Sequence, residues 1–133
     1  MKKLIVTSML SFLFSMIQAQ TFVCSDINFY NSDMTPQKIQ KEKAKYLGSK
    51  ATLTFYDKTL KISVKENGKT ESLVLDKVNN NEYKIEETKG KFPHSNTRKL
   101  VIKLNKWVEY IRSFTVESYN NYSLEMKATY KRD

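Results

Sequence analysis

Arg112 stands in the segment Tyr110-Ile111-Arg112-Ser113-Phe114-Thr115-Val116, where it alternates with Tyr110, Phe114 and Val116. An unbroken strand puts residues two apart on one face, so this guanidinium is expected among aromatic and aliphatic side chains. A charge placed there needs an anion or water, because an unpaired buried charge is costly. Inside a closed barrel Arg112 would hold the carboxylate of an apolar ligand, with Tyr110 or Tyr130 adding a hydroxyl and Phe114 and Met126 lining the site. An internal carboxylate partner, or a β-bulge that turns Arg112 outward, accounts for the same residue without a ligand.

The remaining chemistry is sparse. One His and one Cys in 133 residues cannot supply a metal site, and His94 lies in a Pro-containing segment with no second imidazole. No serine sits in a Gly-x-Ser-x-Gly elbow, and the glycines that cradle a nucleotide phosphate are missing. Glu86 and Glu87 are adjacent, so on a strand they face opposite ways and cannot share a substrate. The chain is therefore expected to bind rather than catalyse, and no cofactor is expected.

The lone Cys24 raises a question of address. Met1-Lys2-Lys3, an apolar run from Leu4 to Ile17, and Ala19 form the n-region, h-region and cleavage site of a secretory signal peptide. The run is shorter than the ~20 apolar residues that span a bilayer, so no stable membrane anchor is expected. Cleavage after Ala19 leaves a single domain, residues 20–133, secreted or periplasmic. A bacterial lipoprotein needs a small residue before its cysteine, and Val23 stands there. Cys24 accordingly reads as a strand residue buried as a small hydrophobe.

Lys and Arg number 23 against 14 Asp and Glu; losing Lys2 and Lys3 with the leader lowers the net charge from +9 to +7. Such a charge attracts anionic lipid, anionic glycan or acidic protein, and salt weakens each attraction. Nucleic acid is not favoured, since Tyr56, Tyr119 and Tyr122 form no basic-aromatic motif of fixed spacing. No block of five like charges occurs, and the expected species is a monomer.

Positioning these residues falls to a series of short alternating segments punctuated by Asn, Gly and Asp. Leu60 to Glu66 and Lys69 to Leu75 flank Asn67-Gly68, which supplies the positive φ angles of a two-residue turn. That turn sets Glu66 opposite Lys69, Ile62 opposite Leu73 and Leu60 opposite Leu75. At the C-terminus, a three-residue loop Tyr119-Asn120-Asn121 sets Val116 opposite Leu124, Phe114 opposite Met126, Arg112 opposite Ala128 and Tyr110 opposite Tyr130, with Asn121 left-handed. Further strands are expected at Thr21 to Tyr30 (Val23, Ile27 and Phe29 on one side), Ala51 to Tyr56, Glu82 to Thr88 and Arg98 to Leu104, with Lys89 to Thr97 the longest loop. Thr35-Pro36 opens a short helix that Gly48 ends, with Ile39, Tyr46 and Leu47 on its inner face. Its outer face carries Lys38, Lys41, Lys43 and Lys45.

These elements imply a mainly β domain, an antiparallel meander of about eight strands with one short helix between strands one and two. A closed barrel, a half-barrel and a two-sheet sandwich all fit. The order of signal peptide, strand, helix and meander resembles lipocalin and fatty-acid-binding barrels; the lipocalin Gly-x-Trp near the first strand is absent, and Trp107 comes late. The expected function is that of an exported binding protein holding a small apolar or anionic ligand inside the barrel. The alternative is a surface module taking a glycan, an acidic protein or another polyanion on its basic face.

Overall fold

The computed structural model describes residues 19–30, 34–66, 68–88, 98–120 and 122–133. The expected leader, the turn residue Asn67, the Lys89 to Thr97 segment with His94, and Asn121 lie outside them. The elements are β1 (Gln20–Phe29), α1 (Pro36–Tyr46), β2 (Lys50–Phe55), β3 (Thr59–Glu66), β4 (Lys69–Asn79), β5 (Glu82–Ile85), β6 (Lys99–Trp107), β7 (Tyr110–Asn120) and β8 (Ser123–Arg132). Every strand pairs antiparallel with its sequence neighbour, and β1 pairs with β8, so the meander closes into an eight-stranded barrel. The weakest seam is at the four-residue β5, which meets β4 only at Asp76, Lys77 and Asn79.

The expected β3–β4 hairpin forms in the expected register, with Glu66 opposite Lys69, Ile62 opposite Leu73 and Leu60 opposite Leu75. Gly68 has φ +78°, which only glycine adopts at no steric cost. The helix begins as its sequence dictates: the Thr35 hydroxyl accepts from the Lys38 amide at 3.2 Å, and Pro36 occupies the first turn. Tyr46 is buried against Phe29, with ring centroids 6.4 Å apart, whereas Leu47 follows the last helical residue and is exposed. Leu47 therefore does not share the inner face with Ile39 and Tyr46.

Four one-residue bulges interrupt the ladders: Val78 is extra near the end of β4, between Lys77, opposite Tyr83, and Asn79, opposite Glu82, and the other three lie in β1, β7 and β8. In β1, Ser25 is an extra residue between Cys24, opposite Tyr130, and Asp26, opposite Thr129. Phe22, Cys24 and Ile27 are consequently the buried residues, and Val23 does not share a face with Ile27. In β7, Arg112 is extra between Ile111, opposite Lys106, and Ser113, opposite Asn105. In β8, Glu125 is extra between Leu124, opposite Tyr119, and Met126, opposite Ser118.

The C-terminal hairpin is thus corrected. Asn120 pairs with Ser123, leaving the two-residue connection Asn121-Tyr122, and Val116 lies opposite Ala128 and Phe114 opposite Tyr130. Without a bulge, a turn at that place would set Val116 against Lys127. The extra Glu125 shifts the ladder by one and restores apolar pairing.

The interior is one contiguous apolar cluster. Phe114 lies at its centre, edge-on to Phe22 at 5.0 Å between centroids and stacked on Tyr130 at 4.8 Å. Aromatic pairs in these geometries add to the burial of their area. The outer wall carries Lys61, Lys65, Lys84, Lys103, Lys127 and Lys131. Apolar inside and charged outside is the reverse of a barrel that faces lipid along its wall. Among the described residues no helix is long and apolar enough to cross a membrane.

Candidate functional site

The antiparallel order places the β2–β3, β4–β5 and β6–β7 turns, the start of β1 and the end of β8 at one mouth of the barrel. Helix α1 and the β3–β4 and β7–β8 turns lie at the other. The first mouth concentrates the unusual chemistry.

β6 runs three residues beyond its expected end at Leu104, to Trp107, which pairs with Tyr110 across the two-residue turn Val108-Glu109. Val108 has φ 59°, the left-handed region. A β-branched side chain there costs roughly 1–2 kcal/mol, and glycine or asparagine is the usual occupant. Val108 is also 83% exposed, with Trp107 66% and Tyr110 55%. The turn carries an apolar side chain at a backbone cost and shows it to solvent.

The bulge decides where Arg112 goes. Placing Ile111 inside, where it is buried, leaves Arg112 as the extra residue, splayed outward and exposed. Its guanidinium lies over the Trp107 ring, 5.1 Å from the centroid. Arg112 is therefore not on the apolar inner face, and Tyr110 is not inside either. Of the residues expected to line an interior site, Phe114, Met126 and Tyr130 come together in the core, while Tyr110 and Arg112 stand at the rim.

A different arginine occupies the mouth. Arg132 lies over the Phe22 ring at 5.3 Å and the Tyr110 ring at 4.3 Å. Its Nε donates to the Ile111 carbonyl at 2.8 Å and its Nη2 to Gln20 Oε1 at 2.6 Å. Lys106 reaches the Asn80 carbonyl at 2.7 Å, joining the β6–β7 and β4–β5 ends of the same rim. Among the described residues neither Arg112 nor Arg132 has a carboxylate within ion-pair distance; Asp133, next in sequence, pairs with Lys50 at 3.1 Å. The rim thus offers two guanidiniums, each against a ring, with N–H groups open to an anion.

The helical lysines sit elsewhere. Lys38, Lys41 and Lys45 are exposed, Lys43 donates to Asn28 Oδ1 at 3.4 Å, and Lys45 lies over the Tyr46 ring at 5.5 Å. Lys43 and Lys45 in the last turn complement the helix dipole, a structural use for two of the four. On the outer wall Lys103 pairs with Glu117 at 3.0 Å, and that bond raises the Lys103 pKa. Cys24 faces inward, 2% exposed, and burial pushes its thiol up to about 11. A thiol of that kind is protonated at neutral pH and a poor nucleophile.

Trp107 and Val108 carry no turn signal, since Val-Glu is not a recognised two-residue turn. Arg132 does carry a signal: it continues the alternation of Met126, Ala128 and Tyr130, and it lies opposite the buried Phe22. Comparison with protein-family models, with curated proteins and with solved structures finds no match.

Proposed function

We propose that this is an exported, non-catalytic binding protein that meets an anionic partner on the barrel rim built from the β6–β7 hairpin and the end of β8. The observation that carries it is the pair of solvent-facing guanidiniums of Arg112 and Arg132, each held over an aromatic ring with no carboxylate partner among the described residues. Charge on a surface is ordinarily neutralised by neighbours of opposite sign; here, among the described residues, no carboxylate comes within ion-pair distance of either guanidinium. Export is supported by the leader sequence and by β1 starting at Gln20, the first residue after the expected cleavage site. The interior reading loses its charged anchor, because Arg112 is outside.

The test is retention of the exported protein on immobilised polyanions, both sulfated glycan and anionic lipid, at low and high salt. Replacing Arg112 and Arg132 by Gln should weaken retention strongly, while replacing Lys38, Lys41, Lys43 and Lys45 by Gln should leave most of it. The reverse pattern moves the site to the helix. A small ligand found with the protein by native mass spectrometry, and unaffected by the rim changes, would return the site to the interior.

A further inference from the structure

We infer that the rim's partner is an anionic lipid surface, into which the β6–β7 turn inserts shallowly; this rests on the rim being the binding surface. Val108 discriminates among the partners the charge allows. A glycan stacks on Trp107 or Tyr110 but gains little from an exposed aliphatic side chain. A lipid headgroup region gains from all three, since tryptophan and tyrosine settle at the membrane interface and an aliphatic tip reaches the upper acyl chains.

The order along the chain matches the depth profile of an interface. Val108 and Trp107 stand at the tip with 83% and 66% of their surface exposed, and Tyr110 follows at 55%. Behind them come Arg112 over Trp107 and Arg132 over Tyr110, positioned to meet phosphates when the tip is immersed. Glu109 is the only carboxylate between Lys103 and Arg112, and it faces solvent at the turn. It opposes an anionic surface, which gives the interaction a predicted direction of improvement. The left-handed φ of Val108 fits the same use: an asparagine would relax the turn, and what it would lose is the apolar tip.

The chain contains one tryptophan, and it flanks the turn, so its fluorescence reports directly on insertion. The exported protein is titrated with phosphatidylcholine vesicles with and without phosphatidylglycerol, and with soluble dextran sulfate. Insertion predicts a blue shift of Trp107 emission with the anionic vesicles and quenching by lipids brominated high on the acyl chain. Arg112→Gln should weaken partitioning roughly fivefold. Val108→Asn, which accepts the left-handed backbone, should weaken it about tenfold with an unchanged circular dichroism spectrum. Glu109→Gln should tighten it. Binding to dextran sulfate through the same arginines without any vesicle-induced shift overturns the lipid assignment and leaves the rim reading standing. Failure of both probes to bind the wild-type protein overturns both.

Discussion

The Arg132 guanidinium stacks over the Tyr110 ring, 4.3 Å from its centroid. Tyr110 begins β7 and Arg132 ends β8, so the contact fastens the β6–β7 hairpin to the last residues of the barrel wall. The same guanidinium lies over Phe22, a wholly buried core residue, and bonds the Ile111 carbonyl. One side chain therefore ties the core, the bulge and the exposed turn together. The rim is positioned by the core rather than hung on a mobile loop.

Arg132→Ala should destabilise the fold by about 1–2 kcal/mol, the scale of charge-assisted hydrogen bonds partly open to solvent. Arg132→Lys should recover little of that loss. Lysine keeps the charge but has neither the flat face that lies between two rings nor the fork that reaches Ile111 and Gln20. Urea denaturation of the three proteins measures this. Equal stability of the Lys variant and the parent would mean that charge alone matters at the mouth.

What the sequence made legible depended on whether alternation ran unbroken. From Leu60 to Leu75, β3 and β4 hold a strict period of two on either side of Asn67-Gly68, and their register and buried face follow from that; the bulge at Val78 comes only past this stretch. β1, β7 and β8 each carry one extra residue, Ser25, Arg112 and Glu125, and past each of them the inward set changes parity. A bulge has no compositional signature of its own; polar residues such as these are ordinary on a strand's outer face. The interior position expected for Arg112 was the direct casualty. Its aromatic neighbourhood was anticipated, but the aromatic is Trp107 on the outside.

Replacing Phe114 and Arg112 separates the two placements energetically. Phe114→Ala should cost about 3–5 kcal/mol, since the ring fills the centre of the core between Phe22 and Tyr130. Arg112→Ala should cost no more than about 1 kcal/mol, the value of an exposed cation–ring contact. Denaturant midpoints read both. A loss at Arg112 comparable to that at Phe114 would place the guanidinium back inside the barrel.

The β7–β8 register can be tested covalently. Thr115 lies opposite Thr129, and with Val116 opposite Ala128 and Phe114 opposite Tyr130 the ladder is regular there. With Cys24 replaced by Ala, the pair Thr115→Cys and Thr129→Cys should oxidise to an intramolecular disulfide. The pair Thr115→Cys and Glu125→Cys, opposite one another if the turn were a three-residue loop without bulges, should stay reduced, because disulfides need Cα atoms within about 7 Å. Mass spectrometry of the oxidised proteins distinguishes them.

The buried thiol predicts an alkaline loss of stability. Burial lifts Cys24 from its ordinary 9.0 to about 11 in the folded protein. Between those values the unfolded chain has released the proton and the folded chain still holds it, so ionisation favours unfolding. The contribution of the neutral thiol is complete below pH 9 and declines as pH rises through 11. Tyr83, also raised by burial, and Lys103, raised by Glu117, act in the same direction. Cys24→Ala should therefore flatten, without abolishing, the fall in stability over that range. Comparing the slopes of urea-derived stability against pH isolates the cysteine, since the tyrosine and lysine are common to both proteins. The wild-type thiol should also resist a disulfide reagent at pH 8 until denaturant is added; rapid labelling of the native protein would place Cys24 at the surface, and the parity assigned to β1 would be wrong.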